Sequence, residues 1–334
     1  MPNQQMYWRE FNLNRDLLPR SLYRGRPYKV GGLGVIMSGE IMRGLEFFLG
    51  EFLSFCGFRK DGFCEPGIYL RTDAFISEAM DRLIVLEVNA RFVDGWGTAL
   101  NLCRACGFPV GGELIGEKLP QAWHLPSSNN AYYDEFLLTL QELRNLGKKV
   151  ESFLPGEPRD DRDPMYYYGW DRPEELPNIV PAYGYEIENK MRLAQFSRST
   201  EWDIKGGRTR CVNTPLCWYA PEVPWEHVAN WMKSDFSGTV LKFAEKYSAD
   251  HLRAGKSVLY QRDVRGGRFA RQCYNRNSLI AQQMIHPATL DKKACQVVIL
   301  SCGATPVTGY VLWEREDAEV INDSALHGPL MPSW

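Results

Sequence analysis

Two short apolar runs in the first third of the chain constrain its fold more than any other feature. Gly67–Ile76 (GIYLRTDAFI) and Arg82–Val93 (RLIVLEVNARFV) are rich in branched and aromatic residues, and only the polar segment Ser77–Asp81 separates them. Such runs bounded by polar residues predict strands, and a connection this short makes the pair antiparallel. Alternate side chains of a strand share a face, so Arg71 goes with Asp73 on the first strand and Glu87 with Asn89 on the second. Pairing about a centre at Met80 sets Asp73 opposite Glu87 and Arg71 opposite Asn89, because both pairs of residue numbers have the same sum. One face then carries two carboxylates, an amide and a guanidinium. Carboxylates directly opposite each other repel, so a positive group belongs between them. Hard oxygen donors of this kind suit Mg²⁺, which takes its remaining ligands from water and substrate phosphates, and the arginine fork suits a phosphate or acyl-phosphate oxygen. The geometry is also compatible with a plain surface ladder in which Arg71 neutralises Asp73 and Glu87.

The rest of the chain can bury a sizeable core. Its 334 residues are 44% hydrophobic and 24% charged, enough for roughly two or three joined lobes. A formal net charge of −2 leaves no electrostatic footprint for nucleic acid or a membrane surface and directs attention to small-molecule chemistry. Nine cysteines without dense spacing, and an opening with no apolar signal core, predict a reduced, cytoplasmic protein. The most apolar stretch, Met37–Gly57, is interrupted by Glu40, Arg43, Glu46 and Glu51, so it does not reach the ~18–20 apolar residues that cross a bilayer.

Apolar residues at Ile41, Leu45, Phe48, Leu49 and Phe52 predict an amphipathic helix over Met37–Phe55 with Ser38 as its cap. Thr98–Cys106 reads as a short helix ended by Gly107, with Cys103 and Cys106 on a buried helix face rather than in a metal site. A helix over Tyr133–Gly147 feeding a strand at Lys148–Leu154 predicts an α/β layer. The aromatic run at Met165 (MYYYGW) is expected to seal a lobe interface. Helices are expected over Trp225–Ser234 and Thr239–Ala254, and strands at Ser257–Gln261, Ser278–Ile285, Gln296–Leu300 and Pro306–Trp313. The expected segments are 1–110, 111–215 and 216–334, the middle one α/β and the flanking ones α+β.

The segments YLRTDAF and LIVLEVNAR resemble the metal-binding motif of the ATP-grasp superfamily. They are most similar to the circularly permuted ATP-grasp domain of glutathionylspermidine synthases, in which an R-x-D strand precedes an E-x-N strand ahead of the nucleotide-binding region. Pro177–Phe196, Arg210–Pro215, Leu279–Ile285, Gln296–Glu316 and Glu319–Gly328 resemble later stretches of that family in the same order. The resemblance implies an α+β, circularly permuted ATP-grasp fold with a pre-ATP-grasp-like middle segment. It further implies ATP and Mg²⁺, with Asp73, Glu87 and Asn89 on the metal and Arg71 as the catalytic arginine. Small-molecule carboxylate and amine or peptide substrates follow from the same likeness.

Two nucleotide-binding lysines of the family fall on His227 and Arg262, with Lys233, Lys242 or Lys256 as substitutes. The family's paired glutamines beside the adenine pocket fall on Gln282 and Gln283. Asp263–Phe269 resembles its glycine-bearing phosphate flap, placing Gly266 and Gly267 among Arg262, Arg265 and Arg268; a hairpin turn is the plainer reading of these residues. A further family arginine falls on Arg315, unless Trp313 is its counterpart. Where the family holds its peptide substrate with serines after E-x-N, this chain has Phe92 and Asp94, so its acceptor pocket differs.

Overall fold

The computed structural model describes residues 5–23, 26–108, 115, 118–154, 157, 164–168, 178–182, 184–199, 211–220, 222–233, 238–246, 248–254, 256–264, 267–315 and 325–333. β1 (Met6–Glu10) and β2 (Leu33–Ser38) lead into α1 (Gly39–Phe55). The Ser38 hydroxyl accepts from the Ile41 amide at 3.3 Å, satisfying one of the orphan donors of the first turn. Ile41, Leu45, Phe48, Leu49 and Phe52 are buried on one side of α1, as the 3.6-residue period predicts. β3 (Tyr69–Ile76), β4 (Leu83–Asn89) and α2 (Trp96–Ala105) follow. A parallel unit comes next: β5 (Ala122–His124), α3 (Tyr133–Asn145), β6 (Glu151–Phe153), β7 (Met165–Tyr166) and β8 (Ile179–Val180). Helices α4 (Gly184–Glu188) and α5 (Lys190–Ser197) precede the short strand β9 (Val212–Asn213).

The chain then builds β10 (Cys217–Trp218), α6 (Trp225–Lys233), β11 (Thr239–Phe243), α7 (Ala249–Ala254) and β12 (Val258–Leu259). It continues through α8 (Arg268–Asn275) and β13 (Leu279–Gln283). It closes with β14 (Thr289–Leu290), β15 (Lys293–Cys302), β16 (Thr305–Arg315) and β17 (Leu326–Ser333).

The largest sheet is nine-stranded, ordered β1-β2-β17-β16-β15-β3-β4-β9 with β14 beside β15. Its pairs are antiparallel except β2–β17 and β4–β9, so the sheet is mixed. On one face Leu70, Ala74, Ile76 and Val297 pack with Leu45 and Phe48 of α1 and Phe196 of α5. On the other, Tyr69, Val298, Leu300 and Tyr310 pack with Trp96 of α2, Phe136 of α3 and Trp123 of β5. The second sheet, β6-β5-β7-β8, is parallel throughout, and the third, β10-β13-β11-β12, is antiparallel. Helices α6 and α8 cover one face of the third sheet through Trp225, Val228 and Tyr274, which meet Leu241, Phe243 and Leu279. The architecture is a mixed α+β fold. Among the described residues no helix is long and apolar enough to cross a membrane.

One expectation changes: the helix expected over Thr239–Ala254 is instead β11 followed by the separate helix α7. Within residues 216–334, β10 to β13 form the third sheet while β14 to β17 join the sheet of β3 and β4. Within the aromatic run, Tyr166 stacks on Trp123 at 4.3 Å and lies with Tyr168 in the core between the second sheet and the largest one; Gly169 and Trp170 lie outside the described residues.

Candidate active site

β3 and β4 pair in the register that the numbering symmetry requires, with Arg71 opposite Asn89 and Asp73 opposite Glu87. Beyond Asp73 the register shifts, Ala74 pairing with Val85, so Leu86 is an extra residue on β4. A bulge here bends β4 and re-aims the side chains beside it. Asp73 is 6% and Asn89 3% exposed, which removes the reading of a plain surface ladder. Arg71 Nε donates to Asp73 Oδ1 at 3.1 Å and Nη1 to Asp94 Oδ1 at 2.7 Å. Asn89 Nδ2 donates to Asp73 Oδ2 at 2.9 Å and to Glu87 Oε1 at 3.3 Å.

Three lysines approach this carboxylate pair from elsewhere in the chain. Lys190 Nζ, on the first residue of α5, lies 3.1 Å from Glu87 Oε2. Lys246, just past β11, donates to Glu87 Oε1 at 3.4 Å and to Asn89 Oδ1. Lys242 acts on Glu87 electrostatically from β11. Burial works to raise the Glu87 carboxyl, but Lys190, Lys246 and Lys242 together hold it well below the usual carboxylate range. Asp73 behaves oppositely: burial pushes it up to about 6, opposed by Arg71 and reinforced by Glu87. Burial also lowers Lys242 against the pull of Glu87, whereas on Lys246 the pull of Glu87 and Glu188 outweighs burial and raises it.

The donor set fits a hard divalent cation. Asp73, Glu87 and Asn89 present carboxylate and amide oxygens on one face, and the Lys246 ammonium bridges Glu87 Oε1 and Asn89 Oδ1 as a cation would. Among the described residues no group of three or more His, Cys, Asp or Glu side chains forms a metal cage. Two carboxylates and an amide are the sparse set from which Mg²⁺ is usually held, the remaining ligands coming from water and phosphates.

Lys242 pairs with Ile280, and Gln282 with both Val240 and Cys217, so Lys242 and Gln282 share one face of the third sheet. That face packs Cys217 and Ile280 against Ala194 and Met191 of α5, the helix that carries Lys190. Gln282 Nε2 contacts Cys217 Sγ at 3.4 Å, while Gln283, one residue on, faces the other way. His227 is exposed on α6, edge-on to Trp231 at 6.3 Å, and α6 packs on the sheet face opposite Lys242. Arg262 is exposed in a 3-10 turn, Gln261–Val264, its guanidinium 5.9 Å from the Tyr260 ring.

Of the segment expected as a flap or hairpin, Asp263 and Val264 end the 3-10 turn and Gly267, at φ 55°, is the N-cap of α8; Arg265 and Gly266 lie outside the described residues. Arg315 pairs with Lys293 at the far end of β16. Asp73 aligns through Val298 with Tyr310, so Arg315 is five residues further along, offset by about 17 Å in the strand direction, two strands across and on the opposite face. The structure therefore gathers Arg71, Asp73, Glu87, Asn89 and Lys242, and sets His227 and Arg315 apart from them.

Sequence reasoning passed over Lys190 and Lys246. Lys246 lies four residues after Lys242, a spacing visible within the stretch read as a helix. Lys190 follows Asn189, whose side chain caps α5, so the helix start is the signal that marks it.

No protein-family model matches the sequence, and no curated protein does. Among solved structures, the chain is similar to a protein assigned as a gamma-glutamylcysteine synthetase from Methylobacillus flagellatus. The two share 11% identity over 84% of this chain and 82% of that one, at a TM-score of 0.50. A glutathione synthetase-like effector from Globodera pallida, in its apo form, shares 12% identity over 88% of this chain and 84% of that one, at a TM-score of 0.49. At such identity the first likeness shows the fold alone: this chain shares the overall fold of a synthetase-type protein.

Proposed function

We propose that this protein is an ATP-dependent, ADP-forming carboxylate–amine ligase of the circularly permuted ATP-grasp type. The observation that carries the reading is the meeting of Arg71, Asp73, Glu87 and Asn89 with Lys190, Lys242 and Lys246 from the third sheet and α5. The lysines offer cationic contacts to a triphosphate, and Gln282 on the Lys242 face offers an amide to the base. Mg²⁺ held by Asp73, Glu87 and Asn89 would neutralise phosphate charge. A substrate carboxylate oxygen bonds to the γ-phosphorus as its bond to the β-bridging oxygen breaks, releasing ADP and leaving an acyl phosphate. Arg71 stabilises the charge on the transferring group. The amine nitrogen then bonds to the acyl carbon, phosphate departs, and the nitrogen loses a proton. Such a reaction depends on positioning and electrostatics more than on an acid–base residue. Phosphate release from ATP, assayed with pooled amino acids and polyamines, tests it. Asp73→Ala with Glu87→Ala should abolish release, and full activity in that double variant would refute the assignment.

A second reading, nucleotide binding without turnover, is favoured by the placement of His227 and Arg315 away from the cluster. A thermal shift with Mg-ATP and no phosphate release under any substrate pool would select it.

A further inference from the structure

Arg71 is held from two sides. Its Nε faces Asp73, a proposed metal ligand, while Nη1 donates to Asp94 Oδ1 at 2.7 Å. Asp94 is 3% exposed, and its second oxygen, Oδ2, is buried without a hydrogen-bond partner among the described residues. A buried carboxylate in that state is tolerable only against a cation, so the Arg71 contact is integral to the fold of this loop.

The loop itself is fixed by its flanks. Gly95 takes φ 94°, and a Cβ there would lie 2.8 Å from Cε1 of Tyr310, so the backbone turns over that ring where only glycine fits. Immediately after it, the first amides of α2 are capped by a carboxyl group from another helix: Glu135 Oε1 of α3 accepts from the Gly97 amide at 2.9 Å and the Thr98 amide at 3.3 Å. Thr139 Oγ1 also accepts from the Gly97 amide, at 2.9 Å. The contacts from α3 to the α2 N-terminus fix the backbone that follows Asp94 and so hold its carboxylate against the Arg71 guanidinium.

We infer that Asp94 is a positioning residue for Arg71, anchored through Gly95 and the Glu135-capped start of α2, and that it aims the guanidinium at the transferring phosphoryl group. The aim rests on the ligase reading, whereas the clamp does not. The clamp is read by hydrogen exchange at the Arg71 Nη1 protons, which donate to Asp94, followed by NMR and assigned by their disappearance in Arg71→Lys. Exchange is slow in the wild type and at least roughly tenfold faster in Asp94→Ala, because that donor loses its charge-assisted partner. Asp94→Asn keeps the Oδ1 acceptor without its charge and exchanges at a rate between the two. Exchange as slow in both variants as in the wild type overturns the inference, and the asparagine variant alone decides it if the alanine variant does not fold.

In the phosphate-release assay Asp94→Ala lowers kcat by roughly a hundredfold, the scale of a misplaced catalytic group, with KM for ATP nearly unchanged and Asp94→Asn recovering most of the rate. Equal loss in kcat and in ATP affinity overturns the positioning role. A wild-type protein that shows no thermal shift with Mg-ATP overturns the ligase reading instead, and the exchange measurement still judges the clamp.

Discussion

Glu135 is the residue whose protonation the fold controls most visibly. Burial first, and then the Asp94 carboxylate, pushes its carboxyl up to about 8, even though Thr98, Gly95 and Gly97 amides favour the ionised form. In an unfolded chain a glutamate titrates near ~4.3. Between those two values the folded protein binds more protons at this position than the unfolded one, so unfolding free energy falls as pH rises. The stabilising contribution is complete below the unfolded value and is lost as pH rises through about 8. Asp73, pushed up to about 6, contributes with the same sign, which makes the difference between two proteins the informative quantity. Glu135→Gln removes the titration while preserving an acceptor for the α2 amides. Its melting temperature should decline less than that of the wild type between about pH 5 and pH 8; parallel declines would show that Glu135 is not protonated in the fold.

At the scale of elements, α1 illustrates what local chemistry decides. Ser38 lies at the end of β2 with extended backbone, and its hydroxyl caps the helix that covers one face of the largest sheet. Ser38→Ala leaves the Ile41 amide without this acceptor and should cost about 1 kcal/mol, measured as a shift in the urea midpoint at unchanged slope. A loss below the resolution of that measurement would mean that water serves the amide equally well. The cap and the apolar stripe of α1 were legible in the sequence because both are local patterns. So was the β3–β4 register around Arg71, Asp73, Glu87 and Asn89, where alternation and a short connection leave one pairing. The bulge at Leu86 was not legible, since Leu83–Leu86 is a continuous apolar run with no alternation whose break could mark it. β11 was misread as helix because its apolar residues also fit a helical period. What overrides that period is long-range pairing of Thr239–Phe243 with Leu279–Gln283, a contact that no local window contains.

Across the whole molecule, the candidate site joins parts of the chain that share no local signal. Asp73 and Glu87 come from one hairpin of the nine-stranded sheet, Lys190 from a helix, and Lys242 and Lys246 from β11 of a separate sheet and the residues just after it. The docking of the third sheet, through Cys217 and Ile280 against Ala194 and Met191 of α5, brings Lys242 and Lys246 to the carboxylates, which is why the hairpin could be read from sequence and its partners only in part. This arrangement separates stability from binding in a testable way. Glu87 keeps Lys190 and Lys242 as counter-charges when Lys246 is removed, so the carboxylate is not stranded and the fold should survive. A nucleotide phosphate would lose one of three cations, together with whatever order Lys246 imposes on Asn89. Lys246→Ala should therefore raise the Kd for Mg-ATP by about tenfold or more, the value of one charge-assisted contact, while its melting temperature stays close to that of the wild type. Titration calorimetry with Mg-ATP measures the first and differential scanning calorimetry the second. If affinity holds while the protein melts early, Lys246 serves the fold alone, and the phosphates must be held by Lys190 and Lys242.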